Sequence, residues 1–137
     1  MEGGELSRFL LDTNVWIHPA QQPDRLNARV RRQLSDDRNE LSLLPLSIWE
    51  AHHLVRRRKL RLRGTFQEWL AEVLNRAPLR EVPYNFAVGT EATRLQLPQP
   101  DFGDVLIGAT AVVFDLTLLT TDGQLLEHPS IKTLRAD

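Results

Sequence analysis

The chain has 137 residues with a formal net charge of -1, 42% hydrophobic and 26% charged residues, and no cysteine. That balance fits one globular domain spanning 1–137, and it excludes disulfides, thiolate metal sites and a cysteine nucleophile. No apolar run approaches the roughly 20 residues of a membrane span; the acidic start Met1-Glu2-Gly3-Gly4-Glu5 lacks an apolar signal core, so a cytoplasmic location is expected.

In chain order, Phe9-Leu10-Leu11 is an apolar run that ends at Asp12 and predicts a buried strand. Pro19 and Pro23 are expected to bracket a loop, after which Asp24 caps a helix with Leu26, Val30 and Leu34 on one face. Leu41 to Leu46 predicts a second strand. Ser47 is expected to cap the following helix, with Glu50 completing a capping box in its first turn. That helix leads into Arg56, Arg57, Arg58, Lys59, Arg61 and Arg63. Gly64 breaks the chain, and Thr65 with Glu68 forms another capping box before Phe66, Trp69, Leu70, Val73 and Leu74 at helical spacing.

Leu79 to Pro83 predicts a third strand, and Asn85 caps a helix toward Leu95. Pro98-Gln99-Pro100 is a loop. Asp101 or Gly103 opens a segment that is apolar nearly all round, from Val105 to Phe114, the mark of a buried helix. Thr117 to Thr120 predicts a fourth strand ending just before Asp122, and Ile131 to Leu134 a short fifth. Strands alternating with helices argue for a parallel sheet covered on both faces. Trp16, Trp49 and Trp69 are all expected in the core.

Ligands of open parallel sheets bind outside the carboxyl ends of the strands. Asp12, Glu50 and Asp122 all follow strand ends, and Asp104 opens a helix whose N-terminus could face the same edge. Each has a structural duty that would suffice alone: helix capping for Asp104 and Glu50, a turn for Asp122. Together they form a carboxylate set that needs protons, arginines or a hard cation, Mg2+ or Mn2+. His18, His52, His53 and His128 show no zinc-site spacing. The Arg56–Arg63 run, and Arg29, Arg31 and Arg32, are candidate contacts for a polyanion backbone, or else solvated helix faces.

Four blocks then carry a resemblance: Phe9-Leu10-Leu11-Asp12-Thr13-Asn14, Ser47-Ile48-Trp49-Glu50, Asp101-Phe102-Gly103-Asp104 running on to Ala111, and Leu118-Leu119-Thr120-Thr121-Asp122. Together and in this order they resemble the PIN-domain family, in particular its VapC-type toxins of toxin–antitoxin pairs. The resemblance implies an α/β fold, a three-layer α/β/α sandwich with a central parallel sheet, and a Mg2+- or Mn2+-dependent endoribonuclease acting on RNA. By position it makes Asp12, Glu50, Asp104 and Asp122 the acidic metal-site residues, with Asn14, Thr120 and Asp101 in support. A cognate antitoxin and a homodimer are implied in the same way. Two departures stand out: Gly108 where Ala is commoner, which would let the helix pack closer, and Gly123 after Asp122, where a charged residue is usual.

Two other function classes compete. Phosphoryl transfer on an aspartate, in a phosphatase or receiver-like domain, also places an Asp at the end of the first strand. The phosphatase pattern wants a second Asp two residues on, where this chain has Asn14. A non-catalytic, RNA-binding PIN-like module would be expected to lack one of the acids, and all four are present.

Overall fold

The computed structural model describes residues 6–21, 23–76 and 78–137, without the side chains of 18–21 and 23. The acidic start and the His18 side chain lie outside the described residues. Five strands, β1 (Arg8–Leu11), β2 (Glu40–Leu43), β3 (Arg80–Glu81), β4 (Thr117–Thr120) and β5 (Thr133–Arg135), form one sheet in the order β3-β2-β1-β4-β5. Every pairing is parallel, with Phe9 opposite Leu41 and Leu11 opposite Leu119. The helices are α1 (Thr13–Gln21), α2 (Ala28–Ser35), α3 (Pro45–Arg56), α4 (Phe66–Arg76), α5 (Phe86–Arg94), α6 (Phe102–Val113) and α7 (Gly123–Glu127).

Strand alternation builds the two faces. Phe9, Leu11, Leu41, Leu43 and Leu119 point into one core with Val15 and Trp16 of α1, Val30 of α2, Ala51 of α3 and Trp69 and Val73 of α4. Leu10 and Leu118 point the opposite way, against Ile107 and Ala111 of α6 and Leu125 of α7. Helix α5 packs along α6. A parallel sheet buried on both sides is the expected three-layer sandwich. Among the described residues no helix is long and apolar enough to cross a membrane.

Several local expectations hold. Thr65 and Glu68 form a reciprocal capping box: the Glu68 N–H donates to Thr65 Oγ1 at 3.1 Å and the Thr65 N–H to Glu68 Oε1 at 2.9 Å. Asn85 caps α5 by accepting the Val88 N–H at 2.9 Å. Gly108 is buried, and a Cβ there would lie 2.8 Å from Leu95 Cδ2 and 3.0 Å from Ile131 Cδ1, so the small residue does permit closer packing.

Others are corrected. Residues 13–21 are helical, so Pro19 lies inside α1 rather than at the edge of a loop. Burial of Val15, Trp16 and Ile17 outweighs the backbone hydrogen bond that proline removes. Asp24 belongs to a single 3-10 turn, and Asn27 caps α2 instead, accepting the Val30 N–H at 2.8 Å. Asn27 also donates from Nδ2 to the Arg135 carbonyl at 2.8 Å, tying α2 to the last strand.

Ser47 is a buried residue within α3, which starts at Pro45 without a side-chain cap. Proline at the first helical position brings the fixed φ that a helix start needs. Glu50 therefore sits in the second turn. The third strand is only Arg80–Glu81, the fifth is shifted to Thr133–Arg135, and α7 was not anticipated. Trp16 and Trp69 are buried, but Trp49 is 61% exposed.

Helices α3 and α6 end alike. The Lys59 N–H reaches the Leu54 carbonyl at 2.8 Å and the Leu116 N–H the Ala111 carbonyl at 2.9 Å, across Arg58 and Asp115 at φ 60 and 54. These are Schellman-type ends with a side chain where glycine is usual. Arg58→Gly should stabilise the protein by about 0.5–1 kcal/mol in urea unfolding, because it relieves the left-handed conformation. Gly108→Ala should lower stability by about 1–3 kcal/mol in the same assay, since Leu95 and Ile131 must yield.

Candidate active site

The sheet order reverses at β1, whose neighbours β2 and β4 lead into opposite layers. The carboxyl edge beside β1 and β4 is therefore a topological switch point, the place where open parallel sheets bind their ligands. Asp12 follows β1, and its N–H extends the strand pairing to the Leu119 carbonyl at 3.0 Å. Its Oδ1 accepts the Thr13 N–H at 2.8 Å and its Oδ2 accepts the hydroxyl of buried Thr120 at 2.6 Å. Thr120 Oγ1 in turn accepts the Asp122 N–H at 3.0 Å, and Asp122 caps α7 through the Leu125 N–H, also at 3.0 Å. The turn role foreseen for Asp122 is thus a helix cap.

Glu50 arrives from α3. Thr13 Oγ1 lies 2.5 Å from Glu50 Oε1 and 2.8 Å from Ser47 Oγ. The serine–glutamate spacing read as a capping box is instead one helix face, three residues apart, presented to Thr13. On the other side, Glu50 Oε2 lies over Gly103. A Cβ at residue 103 would approach that oxygen to 2.7 Å, so the glycine leaves a cradle that any side chain would fill. Asp101 occupies the N-cap position of α6 without a side-chain capping bond, and Asp104 lies in the first turn of that helix.

The electrostatics show the acids within reach of one another. Asp104 is pushed up to about 7, first by burial and then by the negative charges of Asp122, Asp101, Asp12 and Glu50. Burial raises the pKa of Asp12 as well, opposed by the Thr120 and Thr13 hydrogen bonds and reinforced by Asp122. Glu50 is raised by burial, against the Thr13 hydrogen bond, with Asp12 and Asp101 adding to the rise. Tyr84 is pushed up to about 12 by burial and by Glu50, which places it beside the same edge. Among the described residues no basic side chain acts on these shifts.

As the side chains stand, no three acids or histidines among the described residues are arranged to hold an ion. The site is an anionic cradle, not a formed coordination sphere. Its donor chemistry nevertheless fits a hard cation: the candidate ligating atoms are carboxylate oxygens, and no basic side chain of the described residues offsets their charge.

The structure thus brings Asp12, Glu50, Asp101, Asp104, Thr120 and Asp122 to one edge. Asn14 is exposed on α1, and its side chain has no hydrogen bond to a described residue. Arg56 ends α3 and Arg57, Arg58, Lys59, Arg61 and Arg63 follow it, all of them exposed. Sequence reasoning missed Thr13, Ser47, Gly103 and Tyr84. The first three stand within the quoted blocks, but only contact across elements reveals what they do; nothing in the sequence around Tyr84 points to the site.

The PIN domain family matches residues 9–130. No curated protein matches the chain by sequence. Among solved structures, the fold is similar to VapBC2 from Rickettsia felis bound to a DNA fragment from their promoter, at 20% identity and a TM-score of 0.68, covering 95% of this chain and 99% of that one. It is similar to the DNA-bound VapBC from Salmonella typhimurium, at 18% identity and 0.64, with 93% and 97% covered. It is also similar to VapBC-5 from Mycobacterium tuberculosis, a member of the VapBC family of toxin-antitoxin systems, at 20% and 0.58, with 94% and 98% covered. With the four acidic blocks in order, the α/β/α sandwich around them and a family match over nearly its whole length, the chain belongs to the PIN-domain family.

Proposed function

We propose that the chain is a Mg2+- or Mn2+-dependent endoribonuclease and the toxin of a toxin–antitoxin pair. The observation that carries this reading is the convergence of Asp12, Glu50, Asp104 and Asp122 on one sheet edge, close enough for their charges to act on one another. Asp12, Asp104 and Asp122 would hold the metal, with Glu50 completing the set. When bound, the metal would lower the pKa of water and offset charge on phosphate oxygens.

The chain's own residues supply orientation. Thr120 and the Thr13 N–H hold the Asp12 carboxylate by both oxygens, and Thr13 Oγ1 holds Glu50. These contacts preset the acids, so little rearrangement is needed when substrate arrives. Asp101 and Asn14 are supporting residues at the rim. Arg56, Arg57, Arg58, Lys59 and Arg61 are candidates to hold the RNA backbone, which would make affinity fall steeply with salt.

The likeness to VapBC complexes supports a cognate antitoxin as partner; a homodimer and a cytoplasmic location belong to the same proposal. Apolar surface for a protein partner exists away from the acids, in a cavity of about 410 Å³ lined by Val15, Trp16, Leu34 and Val73 with Arg31 and Arg76 at hand. The aspartyl-phosphate alternative loses ground to the family membership and to Asn14.

Asp12→Asn should lower Mg2+-dependent cleavage of single-stranded RNA by about 10³-fold or more while the circular dichroism spectrum is retained. Full activity in that variant would overturn the scheme. The acids also set a pH dependence. Asp104 binds its proton more tightly in the folded chain, at about 7, than in the unfolded chain, near 3.8. Between these values the folded state holds more protons, so its contribution to metal-free stability declines as pH rises toward 7 and stays lost above it.

Asp104→Asn should therefore raise metal-free stability at pH 8, by on the order of 1 kcal/mol once solvent screening of this half-buried group is allowed for. Mn2+ should raise the melting temperature of the parent chain more at pH 8 than at pH 5.5, because it competes with that proton. In Asp104→Asn the Mn2+ effect should largely vanish. Thermal melts with and without Mn2+ check both statements.

A further inference from the structure

Helix α3 carries more than Glu50. The residue before it, Trp49, is 61% exposed. Its ring is stacked on His53, with centroids 5.2 Å apart and planes 9° from parallel. The other tryptophans, Trp16 and Trp69, are buried and packed on each other. Trp49, His53, Arg56 and Arg57 recur at i, i+4, i+7 and i+8, so they share one stripe of the helix. That stripe starts one residue from Glu50, crosses a two-ring stack and ends in the basic turn.

The basic turn holds Arg56, Arg57, Arg58, Lys59, Arg61 and Arg63 with no acid between them. None forms an ion pair with a described residue. An exposed tryptophan can also mark a protein interface, but the core of such an interface is depleted of charge. Here the neighbours on the stripe are an imidazole and guanidinium groups. A flat stacked pair between an acidic edge and exposed basic side chains is an arrangement that holds unpaired bases and their backbone.

Resting on the nuclease reading above, we propose that this stripe is the track for a single-stranded RNA: an unpaired base stacks on the Trp49–His53 pair while Arg56 and Arg57 hold the adjoining phosphates. A duplex is a poor fit, because its base faces are already covered by their neighbours. The chain would then select RNA that is unpaired beside the cleaved bond.

The test is binding by the full chain in EDTA, where metal-dependent cleavage cannot intervene. The probes are a 2′-O-methyl RNA oligonucleotide, the same strand in a duplex, and inorganic polyphosphate. The single strand should quench tryptophan fluorescence, since Trp49 is the exposed one of three. Trp49→Ala should weaken single-strand binding about tenfold or more and remove the quenching, while Trp49→Phe keeps most of the affinity. Polyphosphate binding should be unchanged in Trp49→Ala and reduced in the Arg56→Gln/Arg57→Gln double variant.

Equal affinity for duplex and single strand, no binding of the oligonucleotide, or an unaffected Trp49→Ala would overturn the track. So would a dimer in sedimentation that Trp49→Ala dissociates, which would assign this face to contact between copies. Mg2+-dependent RNA cleavage by the parent chain is scored separately. Cleavage without a Trp49 effect defeats the track alone; stacking without cleavage defeats the nuclease reading alone.

Discussion

Thr120 is fully buried, and its hydroxyl serves two acids at once. It donates to Asp12 Oδ2 and accepts the Asp122 N–H, joining the end of β1 to the end of β4 by one oxygen. Like charges at the ends of neighbouring strands would otherwise splay the sheet edge apart. With this link in place, the remaining oxygen of Asp12 is taken by the Thr13 N–H, and Asp122 is committed to the Leu125 N–H. A buried charge is tolerable only when it is hydrogen-bonded, and this chain of donors meets that requirement.

Other contacts assemble around the same edge. Thr13 reaches across to Glu50 and Ser47, so the start of α1 locates α3. Gly103 lets the N-terminus of α6 come close enough to share space with Glu50 Oε2. The cost falls on Asp104, which faces four other acids and is displaced furthest from its ordinary proton affinity. Two cores, one on each side of the sheet, carry the stability that this anionic edge does not provide.

Much of this was legible along the chain. The strands Phe9–Leu11 and Thr117–Thr120, the capping box at Thr65 and Glu68 and the Asn85 cap rest on local chemistry, and local chemistry is what a sequence displays. Where the reading failed, a distant contact had overridden a local preference. Pro19 stays helical because the preceding Val15, Trp16 and Ile17 are buried. Ser47 lies inside α3 because Pro45 starts that helix earlier and Thr13 meets the serine hydroxyl. Asn27 displaces Asp24 as a cap because it also binds the last strand. Trp49, apolar and expected inside, is exposed on α3 and stacks on His53 of the same helix instead of entering either core.

By itself, the sequence determined that Asp12 ends a buried strand, that three more acids follow other elements, and that the sheet is parallel. Those facts depend on residue type and spacing. That the acids meet, that threonine hydroxyls hold two of them, and that Asp104 carries the unrelieved charge was decided by the tertiary structure alone. Convergence depends on the strand order, and strand order is set by burial on both faces of the sheet, which no single segment of the chain records.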